Sequence, residues 1–396
     1  MTAIDAAPRA FLTPLFAVAA GVAVANLYYA QPLLGAISAS LGLPPAAAGF
    51  SMTVMQVGYG VGMLLVVPLG DRFENRSLIV TAFAVAAAAL LCAGLARSAP
   101  VFLAAAFCCG VAASVAQVIV PFASSLADPG ARGRTVGIVM SGLLLGQMLA
   151  RPFASLIADA FGWRAIFLLS SGLVALMALA LARFVPGLPA QGGFRYRQLF
   201  TSMRHLFMSN PMLRRRAFVQ FFLFGAFTLF WTAVPMHLMG PAFGLSQAGV
   251  AVFALVGVLG AGVAPLVGRA ADRGFARLGA IVALSASGAA FLFGLPGTGG
   301  GLWALALLLV AATLIDCGVA ASLIISQRAV LALGDAARSR LNGLFFFIFY
   351  SGGAVGSAVG AWAFVTGGWP LVCAIGLAMA LMATLIHATS PKGLRP

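Results

Sequence analysis

Residues 314–327 read LIDCGVAASLIISQ, and the six letters CGVAAS at 317–322 also occur at 109–114. The two copies begin at residues 317 and 109, an offset of 208 in a chain of 396 residues. An identical hexapeptide at such a distance raises the question of an internal duplication. The same stretch also holds an aspartate, Asp316, inside an apolar run, and this raises a separate question of mechanism.

The composition of the chain is that of a membrane protein. Hydrophobic residues make up 62% of it, charged residues only 8%, and the mean hydropathy is +1.07. A soluble domain has about 25% charged residues, so this chain has too little charge to cover a surface that faces water. Its apolar runs reach the roughly 20 residues that a membrane-spanning helix needs, whereas a β-barrel would show alternating segments of about 10 residues. We therefore predict an all-α integral membrane protein.

Clusters of Gly, Pro and Arg divide the sequence into twelve apolar segments. We number these 1 to 12, with predicted bounds 11–41, 45–69, 78–96, 100–126, 135–160, 164–185, 214–240, 246–270, 276–295, 301–333, 339–366 and 369–388. A longer polar connection separates segment 6 from segment 7. This pattern predicts an N-terminal six-helix bundle (1–185), a cytoplasmic linker with an amphipathic helix (186–213) and a C-terminal six-helix bundle (214–396).

Other short patterns recur at nearly the same offset as CGVAAS. They are Asp71-Arg72 with Arg76 and Asp272-Arg273 with Arg277; Arg132, Arg134 and Gly137 with Arg338, Arg340 and Gly343; and Gly162-Trp163 with Gly368-Trp369. Four matches in the same order indicate two parallel copies of a six-helix unit. Repeats of this kind form a pseudo-symmetric interface near the middle of the membrane, where transporters bind their substrates.

The basic residues lie in alternate loops. The net charge is +15, and with the N-terminus inside, 20 of the 23 Lys and Arg residues fall on the cytoplasmic side. Only Arg97 and Arg164 fall on the other side, and Arg151 lies within segment 5. Since cytoplasmic loops are rich in Lys and Arg, we predict a multi-pass membrane protein with both termini cytoplasmic. The positive charge is accounted for by this topology, so we predict no nucleic-acid partner.

The loops after segments 2 and 8 carry a specific motif. The second copy reads Gly268-Arg-Ala-Ala-Asp272-Arg273-Gly-Phe-Ala-Arg277, and the first has Val67 in place of the leading glycine. This motif resembles the loop motif of the major facilitator superfamily. Together with the arrangement of six plus six segments, the resemblance to that superfamily covers nearly the whole chain. Stretches such as Asn26-Leu-Tyr28-Tyr29-Ala-Gln31-Pro32 resemble a bacterial branch of uncharacterised exporters. The resemblance implies twelve helices, transport by alternating access, and a central cavity lined by segments 1, 4, 7 and 10.

The loop motif also has a physical interpretation of its own. A carboxylate at a helix end can pair with nearby arginines and with the N-terminus of a neighbouring helix. Such pairs can hold one conformation and separate in another, so we predict a gating role for Asp71, Arg72, Arg76, Asp272, Arg273 and Arg277. The alternative is that these charges only fix the topology.

Asp316 is the one of the eight acidic residues that lies near the middle of a predicted segment. A charge at the bilayer centre costs about 2.5–3.5 kcal/mol on insertion scales, and such residues usually face a cavity and serve transport. The matching position of the first CGVAAS copy is Cys108, so the carboxylate breaks the repeat. We predict that Asp316 couples transport to protons or binds a cation; the alternative is a hydrogen-bonded structural aspartate. The CGVAAS residues themselves suit close helix packing.

Several polar and aromatic residues lie at similar depth in the segments. Gln327 follows Asp316 by eleven residues, close to three helical turns, so the two share one face. We predict substrate contacts for nine residues: Asn26, Tyr29, Gln31, Gln117, Arg151, Trp231, Gln327, Phe346 and Tyr350. The alternatives are hydrogen bonds between helices for Asn26, Tyr29, Gln31 and Gln117, and packing or lipid contact for the aromatic residues. For Gln327 the alternative is a place at the inner gate, and for Arg151 it is an outward-reaching side chain or a local bond near Asp159.

These features predict a secondary active transporter. The favoured function is proton-coupled efflux of a small molecule, by exchange of a drug or metabolite for protons; the alternative is proton-coupled or facilitated uptake. Drug/proton antiporters of the superfamily carry a Gly-Pro pair in helix 5, where this chain has Arg151-Pro152. A membrane-embedded enzyme is a remote alternative, because the three histidines lie outside segment centres. We expect no cofactor or metal, a monomer, and as partners a small-molecule substrate, protons and lipid.

Overall fold

The computed structural model describes residues 6–71, 73–128, 130–187, 196–257, 267, 273, 275–333 and 338–389. The described chain is helical, with no strand among these residues. Its helices are α1 Ala6–Ala25, α2 Leu34–Leu41, α3 Phe50–Leu65, α4 Asn75–Leu95, α5 Ala99–Ala113, α6 Ala116–Leu126, α7 Arg132–Phe161, α8 Trp163–Phe184, α9 Tyr196–Ser209, α10 Pro211–Met239, α11 Gln247–Ala254, α12 Ala276–Gly294, α13 Gly301–Leu331 and α14 Arg338–Ala388.

The helices have the length and composition of membrane spans. Within the described ranges, nine helical stretches are long and apolar enough to cross a bilayer, and two shorter apolar ones are Phe11–Ala25 and Gln247–Gly257. The 51 residues of α14 would measure about 75 Å as a straight helix at 1.5 Å per residue, but the backbone turns at Gly368, where φ is 65°. The all-α membrane fold is confirmed. The count of twelve spans stays a prediction, because much of segment 8 lies outside the described residues.

Segment 1 is not the single helix predicted for residues 11–41. The α-helix ends at Ala25, residues 26–30 form turns, and a short 3₁₀ helix at Gln31–Leu33 leads into α2. The cause is Pro32, which has no N–H and whose ring clashes with the carbonyl four residues earlier in a regular helix. The backbone tightens instead, with the amide of Gln31 donating to Tyr28 O at 3.2 Å. Non-helical backbone at membrane depth requires burial in protein, and this turn is buried.

Glycines bring one helix pair into close contact in each half of the chain. A Cβ added at Gly146 of α7 would lie 2.2 Å from the carbonyl oxygen of Gly21 in α1. A Cβ added at Gly356 of α14 would lie 1.9 Å from the carbonyl oxygen of Gly225 in α10. Small residues allow such close backbone approach in membranes. Segments 1 and 5 therefore pack in the same way as segments 7 and 11, as a duplicated unit requires.

The two halves contact each other along α3 and α14. Near one end, Ser357 Oγ donates a hydrogen bond of 2.8 Å to the carbonyl oxygen of Gly49. Near the other end, a Cβ at Gly343 would lie 3.1 Å from Met63 O. These contacts join the two predicted bundles near both ends of the α3–α14 pair.

The two CGVAAS copies have glycines that pack on neighbouring backbones. A Cβ at Gly110 would lie 2.1 Å from Met55 O of α3, and one at Gly318 would lie 2.7 Å from Ala283 O of α12. The helices contacted differ, and so do the preceding residues: Cys108 is exposed, whereas Asp316 is buried. The two copies are identical in sequence, but Cys108 and Asp316, which precede them, therefore have different surroundings.

A helix occupies part of the predicted linker. Within α9, Met203 is buried, and Ser202 accepts a hydrogen bond from Arg340 at the start of α14. Near the start of α10, Arg214 Nη1 donates to the carbonyl oxygen of Phe207 in α9 at 3.1 Å. These bonds attach α9 to the ends of two helices of the C-terminal half.

Candidate functional site

Arg151 lies in the interior of the helical bundle. It belongs to α7, its side chain is only 4% exposed, and its Nε donates a hydrogen bond of 2.8 Å to Oε1 of Gln31. Gln31 is fully buried and stands at the start of the 3₁₀ turn that interrupts segment 1. The alternative of an outward-reaching arginine is therefore wrong. The proline that breaks segment 1 places Gln31 where it can hold the guanidinium.

Three aromatic rings surround the guanidinium of Arg151. Its Cζ atom lies 4.3 Å from the ring centroid of Trp231, 5.1 Å from Phe227 and 5.3 Å from Tyr28. A cation over an aromatic face gains about 2 kcal/mol or more when it is desolvated. The rings therefore partly offset the loss of water around this charge, and they leave Nη2 without a hydrogen-bond partner among the described residues.

Asp316 of α13 approaches the same place from the C-terminal half. Its side chain is 7% exposed, and its Oδ1 accepts a hydrogen bond of 3.0 Å from Nε1 of Trp231. Its Oδ2 is buried and has no hydrogen-bond partner in the described part of the chain. Trp231 thus contacts both charges, one through its ring and one through its N–H. We refer to Arg151, Trp231 and Asp316 as the Arg–Trp–Asp cluster.

Gly257 lies between the two charged side chains. A Cβ added there would lie 3.2 Å from Asp316 Oδ2, 3.6 Å from Arg151 Nη1 and 3.9 Å from the Trp231 ring. This glycine ends the 3₁₀ turn Leu255–Gly257 that follows α11. The absence of a side chain at this position keeps open the space that the guanidinium and the carboxylate share.

A second group of predicted residues gathers around Tyr59 of α3. Its ring lies 4.2 Å from that of Tyr350, whose ring is in turn 6.2 Å from that of Phe346. Gln117 Nε2 donates to the Tyr59 hydroxyl at 3.3 Å. Tyr350 and Phe346 are buried, so they pack with other protein groups rather than with lipid.

The remaining predicted substrate residues make bonds between helices. Ser170 Oγ of α8 donates to Asn26 Oδ1 at 2.7 Å, and Tyr29 is buried in the same turn. Gln327 Nε2 donates to Asn342 Oδ1 of α14 at 3.2 Å. For Asn26 the observed bond matches the interhelical alternative. Neither this bond nor that of Gln327 includes a member of the Arg–Trp–Asp cluster.

The predicted gating residues are described only in part. Arg76 donates a hydrogen bond to the carbonyl of Ala182 near the end of α8. Arg273 and Arg277 are exposed. Arg72, Asp272 and the side chain of Asp71 lie outside the described residues, so the pairing predicted for the loop motif stays a prediction.

Four residues of this region are not among the substrate contacts predicted from the sequence. Phe227 and Tyr28 were not among the predicted contacts, although Phe227 precedes Trp231 by four residues and the i, i+4 spacing puts both on one helix face. Gln56 of α3 is buried with neither amide atom partnered among the described residues. Gly257 gives no signal in the sequence, because the space it leaves is visible only when α7 and α13 are in place.

Comparison with known proteins shows the family. The sequence model of the Major Facilitator Superfamily matches residues 16–334. "Uncharacterized transporter YgaY" of Escherichia coli O157:H7 is 37% identical over 378 residues, which cover 95% of this chain and 94% of that protein. "Probable transporter SCO4007" of Streptomyces coelicolor is 33% identical over 390 residues, covering 98% and 89%. The solved structure of a variant of the nucleoside transporter NupG has a TM-score of 0.76 at 14% identity, covering 94% and 98%.

The comparisons agree with the helical fold and with the resemblance noted in the loop motif. The matched relatives are named as transporters, in line with a protein that is not an enzyme. The likeness to NupG concerns the fold alone, since the sequences share few residues. This chain is a multi-pass membrane transporter and belongs to the major facilitator superfamily.

Proposed function

We propose that this chain is a secondary active transporter of the bacterial inner membrane, with both termini cytoplasmic, and that Asp316 binds the coupling proton. The observation that carries the proposal is the state of this carboxylate. It is buried, Trp231 holds its Oδ1, and its Oδ2 has no hydrogen-bond partner among the described residues. A buried carboxylate oxygen without a partner is costly, and a proton on it removes the charge.

The position of the cluster supports a link between protonation and conformation. Arg151 belongs to the half formed by segments 1–6, whereas Trp231 and Asp316 belong to the half formed by segments 7–12. The guanidinium and the ionised carboxylate attract each other across the space beside Gly257, and this attraction is strong where water is excluded. A proton on Asp316 ends the attraction between the halves. Protonation therefore shifts the balance between conformations in which these two groups are near and far.

The substrate contacts predicted from the sequence differ in how near they lie to the Arg–Trp–Asp cluster and to Tyr59. Gln31, Arg151 and Trp231 form or adjoin the cluster, and Gln117, Phe346 and Tyr350 lie around Tyr59. We propose these as substrate-binding residues. Asn26, Tyr29 and Gln327 remain in the proposal as more distant contacts. The six loop residues Asp71, Arg72, Arg76, Asp272, Arg273 and Arg277 are proposed to hold the cytoplasmic helix ends in one state of the cycle.

The direction of transport has two candidates. Efflux in exchange for protons, which the sequence favours, requires the substrate and the proton to compete for Asp316, and the unpartnered Oδ2 suits a competing hydrogen-bond donor. Uptake with protons is the second candidate, and the nearness of Arg151 favours it. A substrate anion on Arg151 would take the place of the carboxylate as partner and so would assist protonation of Asp316.

Transport in oriented vesicles tests the proposal. Right-side-out and inverted membrane vesicles that enclose a pH-sensitive dye would be screened with antibiotics, sugars, amino acids and organic acids. We expect at least one class to move protons in the wild type and Asp316→Asn to lose this proton movement while still exchanging substrate. Undiminished proton movement in Asp316→Asn would show that another group couples transport. The sign of the pH change in the two vesicle orientations distinguishes exchange from cotransport.

A further inference from the structure

Two of the unpartnered buried atoms at Arg151 are hydrogen-bond donors. Arg151 has only donors, so its bond to Gln31 must end on the amide oxygen, and this fixes the amide orientation. The amide nitrogen Nε2 of Gln31 is then left over. Both this nitrogen and Nη2 of Arg151 are buried and lack hydrogen-bond partners among the described residues. Two adjacent buried side chains therefore offer free N–H groups, one of them charged.

Such a pair of donors fits an acceptor with two oxygens. Carboxylates accept paired N–H bonds from arginine, and charge-assisted bonds of this kind are about twice as strong as neutral ones. The bond from Nε to Gln31 and the three surrounding rings already hold the guanidinium in place. A group that is held before binding loses little freedom when the ligand arrives. The site is therefore arranged for an anion.

Aromatic rings surround these donors. Tyr28, Phe227 and Trp231 each lie within contact distance of the guanidinium, and all three are buried. Ligand sites in which aromatic side chains flank a few fixed polar groups take ligands with an apolar body and a matching polar end.

We propose that the substrate is an organic anion, a carboxylate attached to a flat apolar ring system, which binds Nη2 of Arg151 and Nε2 of Gln31. This inference rests on the proposed function, because it uses Asp316 as the proton-binding group. The substrate carboxylate and Asp316 share one guanidinium. When the anion binds, two carboxylates face a single cation in a buried site, and the excess negative charge is removed when Asp316 Oδ2 takes a proton from the medium.

Because the substrate carboxylate and Asp316 share the guanidinium of Arg151, the ratio of protons to substrate anions is fixed. One anion and one proton enter together, so the loaded site has the same net charge as the empty one. The substrate and the proton then travel in the same direction, which is the cotransport candidate rather than exchange. An inward proton gradient would drive uptake of the anion.

Calorimetry on the purified full-length protein in detergent tests the proposal with matched probes. The probes are benzoate and 2-naphthoate, with benzyl alcohol as the neutral and benzylamine as the cationic counterpart of benzoate. Titrations at one pH in two buffers of different ionisation heat report the number of protons taken up. We expect the carboxylates to bind, 2-naphthoate more tightly than benzoate, with uptake of about one proton per anion, and the other two probes to bind at least about tenfold more weakly.

Three variants locate the effect. Arg151→Gln is expected to weaken carboxylate binding at least tenfold, and Arg151→Lys, which keeps the charge, should weaken it less. Asp316→Asn should still bind the carboxylates but without proton uptake. Arg204→Gln removes an exposed arginine of α9 and is the matched control, for which binding should equal that of the wild type. Gel filtration and thermal unfolding check that each variant is folded.

The outcomes separate this inference from the proposed function. Binding of benzylamine or benzyl alcohol as tight as that of benzoate, binding of neither carboxylate, or unchanged affinity in folded Arg151→Gln would each overturn the substrate class. Carboxylate binding that still takes up a proton in Asp316→Asn would support the substrate class and overturn the assignment of Asp316. Loss of proton movement in Asp316→Asn vesicles without carboxylate binding would support the coupling residue and overturn the substrate class.

Discussion

The two halves of this transporter share a packing geometry but differ in charge at their interface. Gly21 with Gly146 in one half and Gly225 with Gly356 in the other bring equivalent helix pairs into the same close contact. At the centre, however, the first half contributes a cation and the second half a carboxylate with a tryptophan. The packing requires both copies to be alike, because each backbone must approach another. The chemistry requires them to differ, because two like charges at one place would repel.

The largest effect is expected from breaking the shared packing. Gly356→Val would put side-chain atoms where the carbonyl of Gly225 lies, since a Cβ there is already only 1.9 Å away. Overpacking costs typically 1–3 kcal/mol and sometimes more, so we expect about 3 kcal/mol or more and poor recovery of folded protein. Thermal unfolding in detergent measures this. Gly172→Ala in α8 is the control, because a Cβ there meets no atom within 4 Å; equal losses in both variants would contradict the packing argument.

Single and double variants of Arg151 and Asp316 test the difference in charge between the two halves. Arg151→Gln and Asp316→Asn each leave one buried charge without its opposite, so each should destabilise the protein by several kcal/mol. The double variant should lose less than the sum of the two, with an interaction energy of about 1–3 kcal/mol. Unfolding midpoints of the four proteins provide the cycle. Strict additivity would mean that the halves do not attract each other through these groups.

A smaller effect is expected when the tryptophan loses only its N–H. Trp231→Phe keeps an aromatic ring beside Arg151 but removes the 3.0 Å hydrogen bond to Asp316. A hydrogen bond to a charged group contributes about 1.5–3 kcal/mol, and we expect a tenfold or larger fall in the rate of proton-coupled transport. Vesicle assays measure the rate. Trp303→Phe removes the N–H of a tryptophan that is 77% exposed near the start of α13 and should leave it unchanged.

The smallest effect concerns a bond within the N-terminal half. Ser170→Ala removes the 2.7 Å donor to Asn26 in the turn of segment 1, and a neutral buried hydrogen bond contributes about 1 kcal/mol. The unfolding midpoint should therefore fall slightly while proton coupling persists. Ser141→Ala, whose hydroxyl bonds only within its own helix at an exposed position, is the control. A loss of coupling in Ser170→Ala would mean that Asn26 belongs to the central site.

Composition and segment lengths were enough to predict a helical membrane protein, since lipid must surround a chain with so few charges. The two central charges were also visible, because an aspartate and an arginine stand out in apolar segments. Their meeting was not predictable, since Arg151 and Asp316 lie in different halves and only tertiary packing brings α7 beside α13. The turn in segment 1 was missed although Pro32 marks it, because the apolar pattern continues through it without interruption.

The turn at residues 26–33 of segment 1 can act as a hinge. A continuous helix can bend only by lengthening or breaking backbone hydrogen bonds, whereas a turn absorbs a change of direction through rotation of a few dihedral angles. The glycine contacts hold α1 firmly against α7, while α2 continues beyond the turn to its own glycine cap at Gly42. Rotation at the turn can therefore change the direction of α2 while α1 stays in place. Gln31, which accepts the hydrogen bond from Arg151, lies in this turn between α1 and α2.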